Sequence, residues 1–485
     1  MSPPNDLVDT DRTGLSIGGE WRPSSDGGTI DVLDPATAEP LATVANGTPD
    51  DARAAVDAAA SAAPAWAATS PQERGEVLRR AFELMVTRSD ELARLIVQEM
   101  GKPLGEAKGE AVFAAEFFRW YSGEAVRNQG GVLTAPAGDK RIISVHQPVG
   151  VSLLITPFNF PASMATRKIA PAVAAGCTMI LKPASDTPLT ALAITALLAE
   201  AGLPDGVLNV LPSTRSAEVA STMVGDPRVR LVSFTGSTEV GRVLLAEAAK
   251  TVVNSSMELG GNAPFLVFDD ADVESAVSGA MIAKMRNGGQ SCVAANRFLV
   301  HEAVVDDFAA RLTHAMSSLV VGSGLEPGVE LGPLVNERAQ EQMAESVDVS
   351  TAAGSTVATG GTAPDSPGFF FAPTVLTGVE HDDPILDREI FGPIAPITTF
   401  GSDDEAVLLA NDTIHGLAAY VYTRDLARGM RVSEALEYGM VGINRGFYSD
   451  PAAPFGGVKQ SGIGREGSHE GMMEFLETKY IAADW

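Results

Sequence analysis

The sequence predicts an α/β protein of two doubly wound parallel-sheet domains in series, with a small extra β element. Three observations carry that reading. The chain has 485 residues, too many for one ordinary hydrophobic core and enough for two or three domains. Its middle alternates short apolar runs with helical patterns at regular spacing, the mark of βαβ units. Those runs place apolar residues on consecutive rather than alternating positions, as strands covered on both faces require.

The elements follow in order. Thr48-Pro49-Asp50 is a cap followed by proline at the first helical position, opening an Ala-rich helix. Pro71 starts a second helix, 90–100 a third that stops at Gly101, and 104–121 a fourth, so the first third is expected to be helix-rich. The period then changes to β-branched runs at 142–145 and 151–156. A helix is expected at 162–175, a strand at 178–181, a helix at 188–200 that stops at Gly202, and strands at 207–210 and 231–234 around a short helix. After a helix at 239–249, a second set alternates strand 265–268, helix 273–285, strand 297–301 and helix 304–319. Later strands fall near Val375, Ile397, Tyr420 and Val441. No internal repeat, low-complexity tract or long linker is visible.

Charge and composition narrow the function. Lys plus Arg total 35 against 62 Asp plus Glu, a formal charge of −27. Such a surface repels nucleic-acid backbones and anionic lipid, so neither is an expected partner. The longest apolar stretch, 169–181, is interrupted by Pro171 and Thr178 and is too short for a membrane span. Residues 1–13 are polar and acidic, without the pattern of a signal peptide. The two cysteines, Cys177 and Cys292, allow neither a disulfide scaffold nor a multi-thiolate metal site. A cytoplasmic protein without a metal centre is expected.

Several segments bear on chemistry. Gly322-Ser323-Gly324 resembles the start of a dinucleotide fingerprint, but Glu326-Pro327 follows where a helix should begin. In Phe234-Thr235-Gly236-Ser237 a buried strand runs into a small-residue turn and a helix. A pyrophosphate site and a purely structural turn both fit. Lys182, closing its strand ahead of Pro183-Ala184-Ser185, suits a ribose or phosphate at the carboxyl end of a parallel strand and equally an ordinary surface lysine. Cys292 follows Gly288-Gly289-Gln290-Ser291, where backbone can approach a ligand, and a reactive or a structural thiol fits. Cys177, just before a core strand, reads as a small hydrophobe. None of the six histidines has a partner motif. Any base serving Cys292 must therefore be a carboxylate, and Glu258, before Gly260-Gly261, is the candidate whose burial would raise its pKa.

Over nearly its whole length the sequence resembles the NAD(P)-dependent aldehyde dehydrogenases. The matching segments are Thr156-Pro157-Phe158-Asn159-Phe160-Pro161, Leu181-Lys182-Pro183-Ala184, Phe234-Thr235-Gly236-Ser237 and Glu258-Leu259-Gly260-Gly261. They continue in the family's order with Gly289-Gln290-Ser291-Cys292, Glu389-Ile390-Phe391-Gly392-Pro393 and Pro454-Phe455-Gly456-Gly457-Val458-Lys459. The resemblance implies that Cys292 attacks the aldehyde, that the Asn159 amide and the Cys292 N–H form the oxyanion hole, and that Glu258 activates the hydrolytic water. It implies Lys182 and Glu389 at the cofactor riboses, Lys182 also biasing Cys292 toward thiolate, and Ser237 at the pyrophosphate. Thr156, Pro157, Phe158, Gly236, Gly241, Leu259 and Phe391 complete the cofactor bed.

Within the family the sequence is most similar to succinate-semialdehyde dehydrogenases. Arg167 and Arg286 match arginines that bind the substrate carboxylate in that group, and Ser449 a serine that assists them. Asn159, Ser163 and Arg167 are four apart, which would place Arg167 on the oxyanion amide's channel. The competing view pairs each arginine with a surface acid. Ser185 stands where an acid would repel a 2′-phosphate, so NADP is expected to be accepted and preferred, with NAD as the other cofactor. The sequence departs from its relatives at Ala294, where many have a second cysteine, at Arg445 beside the substrate mouth, and at Phe158, where many have tryptophan.

The implied architecture has a dinucleotide-binding domain at 1–127 and 147–259 and a catalytic domain at 260–447. An oligomerisation element would combine 128–146 with 469–485, whose 475–482 reads as a strand able to pair with a neighbouring subunit in a homodimer or homotetramer. The implied reaction is oxidation of succinate semialdehyde to succinate through a cysteine hemithioacetal and thioester. The alternatives are another aldehyde (glutarate semialdehyde, an aromatic or an aminoaldehyde), a non-redox thiol acyl transfer, or a non-catalytic binding protein.

Overall fold

The computed structural model describes residues 12–484; the rest of the polar segment 1–13 and of the tail 469–485 lies outside them. The chain begins with β1 (Leu15–Ile17), β2 (Glu20–Arg22), β3 (Thr29–Asp34) and β4 (Glu39–Ala45). Helices α1 (Pro49–Ala68), α2 (Pro71–Thr87), α3 (Ser89–Met100) and α4 (Leu104–Glu124) follow. The first third is helix-rich, with four short strands ahead of its helices. Strands of three residues are too short to show a period, and β3 and β4 pair only with each other. The expected helix starts hold: Thr48 and Asp51 form a capping box on α1, as do Ser70 and Glu73 on α2.

After the hairpin β5 (Gly131–Thr134) and β6 (Arg141–Pro148), the alternating region begins with β7 (Val151–Ile155), α5 (Pro161–Ala175), β8 (Thr178–Lys182) and α6 (Leu189–Glu200). It continues with β9 (Leu208–Val210), α7 (Ser216–Val224), β10 (Val229–Thr235), α8 (Thr238–Ala249) and β11 (Asn254–Glu258). The second region opens with β12 (Ala263–Val267), α9 (Val273–Met285), β13 (Ala295–His301), α10 (Val305–Ser317) and α11 (Glu337–Ala352). Then come β14 (Thr356–Thr359), β15 (Thr374–Thr377), β16 (Ile394–Phe400), α12 (Asp403–Asn411), β17 (Ala418–Tyr422), α13 (Leu426–Ala435) and β18 (Met440–Ile443). The chain closes with β19 (Gly462–Ile463), α14 (Glu470–Met473) and β20 (Leu476–Ala483).

Two large sheets organise these elements. The first has the order β19-β11-β10-β7-β8-β9-β1-β2 and the second β14-β15-β16-β13-β12-β17-β18. Their central strands pair in parallel and are buried end to end, as the consecutive apolar residues require. Edge strands β2 and β14 pair antiparallel. Helices α11, α12 and α13, absent from the sequence-based expectation, begin at side-chain caps from Asn336, Ser402 and Asp425. Strand β20 runs antiparallel to β6 from Leu476↔Pro148 to Ala483↔Arg141, so one edge of the tail is taken by its own chain. Its other edge has no partner strand among the described residues. No helix of the described residues is long and apolar enough to cross a membrane.

Candidate active site

In an open parallel sheet, ligands sit beyond the carboxyl ends of strands where the winding direction reverses. In the first sheet that point lies between β7 and its neighbour β10: the chain winds from β7 through β8 to β9 on one side, then returns to β10 on the other. The loop after β7 carries Pro157, Phe158 and Asn159, and the turn after β10 carries Gly236 and Ser237. Both loops line a cavity of about 490 Å³ with Leu259, Glu389, Phe391 and Cys292. A second cavity, of about 310 Å³, lies on the other side and is lined by Ser163, Arg167, Arg286, Ser449 and Phe455. Cys292 lines both.

On the larger cavity's wall, Ser237 caps α8 by accepting the Val240 N–H, so the helix N-terminus faces the space. Thr235 Oγ1 is buried there without a hydrogen-bond partner. Glu389 Oε1 accepts the Gly261 N–H at 3.1 Å. Burial pushes Glu389 up to about 7, opposed by the charge of Lys284, itself fully buried, unpartnered and pulled down to about 7. Phe158 and Phe391 meet edge to face at 5.7 Å. A helix N-terminus, an unsatisfied hydroxyl, a carboxylate and two aromatic faces fit a dinucleotide: phosphate, ribose hydroxyls and ring. Thr156, Lys182, Ser185 and Gly241 do not line this cavity. Gly241 packs where a Cβ would come within 2.4 Å of Leu259 Cδ2, a close helix–strand approach. Burial lowers Lys182 to about 8, and Ser185 is half-buried nearby in sequence.

Cys292 rests as a thiol. Burial pushes it up to about 12, reinforced by the charge of Glu389. The leading cations pulling it down are Arg167 and Arg286, not Lys182 as the resemblance implied. Glu258 ends β11 between Thr235 and Gly462, and both carboxyl oxygens are buried without hydrogen bonds. Burial and the neighbouring charge of Glu466 hold it well above the usual carboxylate range. Cys177 Sγ donates to the Phe475 carbonyl at 3.3 Å, deep in the core, as expected of a structural thiol.

Asn159 is not on helix α5. Phe160 is non-helical (φ −136°, ψ 72°) and Pro161 takes the first turn, so the spacing of four breaks before Ser163. Asn159 instead faces the larger cavity, and its Nδ2 donates to the Gln290 carbonyl at 3.0 Å, leaving its other N–H without an acceptor among the described residues. Ser163 and Arg167 do share a face and line the smaller cavity.

The two arginines have few anionic partners. The guanidinium carbon of Arg286 lies 4.8 Å from the Phe160 ring and 4.5 Å from Phe447, and it has no ion-pair partner among the described residues. Arg167 lies 4.2 Å from the Phe455 ring. Its Nη1 is 3.6 Å from Glu466 Oε2, too far for a hydrogen bond, and Nε and Nη1 remain unsatisfied. Glu466 is engaged by Lys168, at 2.6 Å. Pairing with surface acids is therefore not what holds these arginines. Arg445 is exposed and donates through Nε to the Phe447 carbonyl, off the cavity wall.

Sequence reasoning missed Glu106, Glu110 and Phe113 of α4, which line the smaller cavity, and Glu239 and His415 on the larger one. The α4 residues carried a usable signal, since 106, 110, 113 and 117 share one helical face.

The pattern of the aldehyde dehydrogenase family matches residues 21–481. A succinate-semialdehyde dehydrogenase [NADP(+)] of Escherichia coli (strain K12) is 49% identical over 465 residues, 96% of this chain and 96% of that one. A glutarate-semialdehyde dehydrogenase of Pseudomonas putida is 49% identical over 465 residues, with the same 96% shares. The crystal structure of succinate-semialdehyde dehydrogenase from Burkholderia pseudomallei matches with a TM-score of 0.97 at 48% identity, covering 100% of both chains.

Proposed function

The chain belongs to the aldehyde dehydrogenase family, an NAD(P)-dependent oxidoreductase, and on that premise we propose that it oxidises succinate semialdehyde to succinate with NADP as preferred cofactor. One observation carries the substrate reading. Two guanidinium groups with few anionic partners, Arg167 and Arg286, face a cavity that ends at Cys292. The buried Nε and Nη1 of Arg167 are unsatisfied, which is costly until an acceptor arrives, and a carboxylate supplies acceptors in the matching geometry. Ser449, on the same wall, adds a hydroxyl.

In this reading the Arg167 and Arg286 forks bind the carboxylate and bring the aldehyde carbon to Cys292. The thiol passes its proton to the ionised Glu258, which releases it to solvent, and attacks, forming a hemithioacetal whose oxyanion is held by the free Asn159 N–H and the Cys292 backbone N–H. The cofactor, when bound, supplies the hydride acceptor. Glu258 in its ionised form then takes a proton from water, which hydrolyses the thioester left on Cys292. Ser237 and the α8 N-terminus hold the pyrophosphate, and Glu389 and Lys182 the riboses. Thr156, Pro157, Phe158, Gly236, Gly241, Leu259 and Phe391 shape the bed. Ser185 admits the 2′-phosphate.

The same reading assigns cofactor binding to 1–127 with 147–259, catalysis to 260–447, and assembly into a homodimer or homotetramer to 128–146 with 469–485. The free edge of β20 would be offered to a neighbouring subunit, and the compartment would be the cytoplasm. A second substrate reading, glutarate semialdehyde, draws on the Pseudomonas putida relative. Initial rates with succinate semialdehyde, glutarate semialdehyde and butanal, each with NAD and NADP, test the proposal. Succinate semialdehyde with NADP should give the highest kcat/KM; a preference for butanal ends the semialdehyde reading.

A further inference from the structure

Helix α4 forms one wall of the smaller cavity, through Glu106, Gly109, Glu110 and Phe113. Its two carboxylates, one turn apart, have no part in the roles above. Each fastens a different element. Glu106 Oε2 accepts the Asn287 N–H at 2.6 Å. Asn287 and Gly288 are both in the left-handed region, with φ of 55° and 62°, which asparagine and glycine adopt more readily than other residues, and the bond to Glu106 anchors this tight turn at its first residue. Glu110 Oε1 accepts the N–H groups of Ala162 and Ser163 at 2.9 and 3.3 Å, donors that the start of α5 leaves free. Its Oε2 accepts from Lys102 Nζ, which also donates to the Asn159 carbonyl.

The segments fastened this way are the ones that carry the two arginines. Glu106 holds the residue next to Arg286, and Glu110 holds the first turn of the helix bearing Arg167. Asn287 Nδ2 in turn donates to the carbonyls of Asn159 and Gln290, at 2.9 and 3.0 Å, tying the same loop to the oxyanion residue and to the approach to Cys292. Arg286 lies between two aromatic faces that set the plane of its fork but not its place along the channel. That place is set by the backbone.

We propose that Glu106 and Glu110 of α4 are positioning residues that fix Arg286 and Arg167 at a set distance from Cys292, and so select the length of the ω-carboxylated aldehyde accepted. The proposal rests on the semialdehyde reading. Freed from Glu106, the 286–288 turn relaxes and Arg286 shifts along the channel. The four-carbon substrate, held at both ends, then loses more than the five-carbon one.

The test compares kcat/KM for succinate semialdehyde, glutarate semialdehyde and butanal in wild type, Glu106→Ala and Glu106→Gln. Glutamine keeps an acceptor oxygen for the Asn287 N–H, whereas alanine has none. In Glu106→Ala the succinate-to-glutarate ratio should move about fivefold or more, while Glu106→Gln stays within about twofold of wild type. A merely structural role lowers all three substrates together and leaves the ratio unmoved, and that result overturns the proposal. Should Glu106→Ala fail to fold, Glu106→Asp, one methylene shorter, must move the same ratio or the proposal falls. A wild type that prefers butanal would instead remove the semialdehyde reading, and this inference with it.

Discussion

The two cavities that meet at Cys292 differ in the charges they present. The smaller one offers two guanidinium groups against aromatic faces, while the Glu106 and Glu110 carboxylates on its wall are committed to backbone N–H groups and Lys102. The larger one offers the carboxylates of Glu389 and Glu239 beside a helix N-terminus. In a chain with a formal charge of −27, cations with so few anionic partners are out of character with the surroundings. Cavities of low dielectric amplify such charges. The contrast teaches that substrate choice rests on a few desolvated donors, whereas cofactor binding is spread over backbone, dipole and side chains. Losses on the substrate side should therefore be concentrated and substrate-specific, and losses on the cofactor side graded.

The largest effect should come from the shared residue. Cys292→Ala should lower turnover about a thousandfold or more while NADP still binds, as measured by fluorescence titration; retained turnover would remove the covalent route. Glu258→Gln comes next, slowing steady-state turnover by about a hundredfold or more. Hydride transfer precedes hydrolysis, so a burst of reduced cofactor should survive, slowed because the thiol has also lost its base. Because Glu258 is held protonated well above the usual carboxylate range, its base form grows in as pH rises. Wild-type kcat should climb with pH through that raised value, and the variant should lose this limb.

On the substrate side, Arg167→Met or Arg286→Met should each lower kcat/KM for succinate semialdehyde by about thirtyfold or more, since losing one partner of a desolvated pair costs about 2–5 kcal/mol. The smallest change lies on the cofactor side. Ser185→Glu should cut kcat/KM for NADP by about tenfold relative to NAD, as one added like charge at a half-exposed site would. Equal losses would show that Ser185 does not discriminate. Lys182 is protonated below about 8 and neutral above it. The NADP-to-NAD ratio of kcat/KM should therefore fall as pH rises through about 8, and a flat ratio would remove Lys182 as countercharge.

The core of this arrangement could be read from the sequence because it depends on local pattern. The buried strands announce themselves by consecutive apolar residues, and the turns at Gly236 and Gly289 by small residues after them. The arginines came from resemblance, yet their lack of acidic partners is a tertiary fact. What escaped the sequence was non-local or short. Strands β1 and β2 have three residues each, and β19 has two. Glu106 and Glu110 looked like the polar side of an ordinary helix, because the N–H groups they accept lie 181 and 52 residues away. The spacing of Asn159 with Arg167 misled for a related reason: Pro161 starts α5 only after Asn159, so a matching interval crossed a helix boundary.

The central claim is that Arg167 and Arg286 make the smaller cavity a carboxylate site. It is tested most directly by measuring kcat/KM for succinate semialdehyde and for butanal in wild type and in the Arg167→Met/Arg286→Met double variant, at fixed saturating NADP. Wild type should strongly prefer the semialdehyde, and the double variant should lose this preference by about a hundredfold or more, with butanal losing only the smaller share that comes from withdrawing two cations from the Cys292 thiol. Equal losses for both aldehydes, or a preference that survives removal of both guanidinium groups, would contradict it.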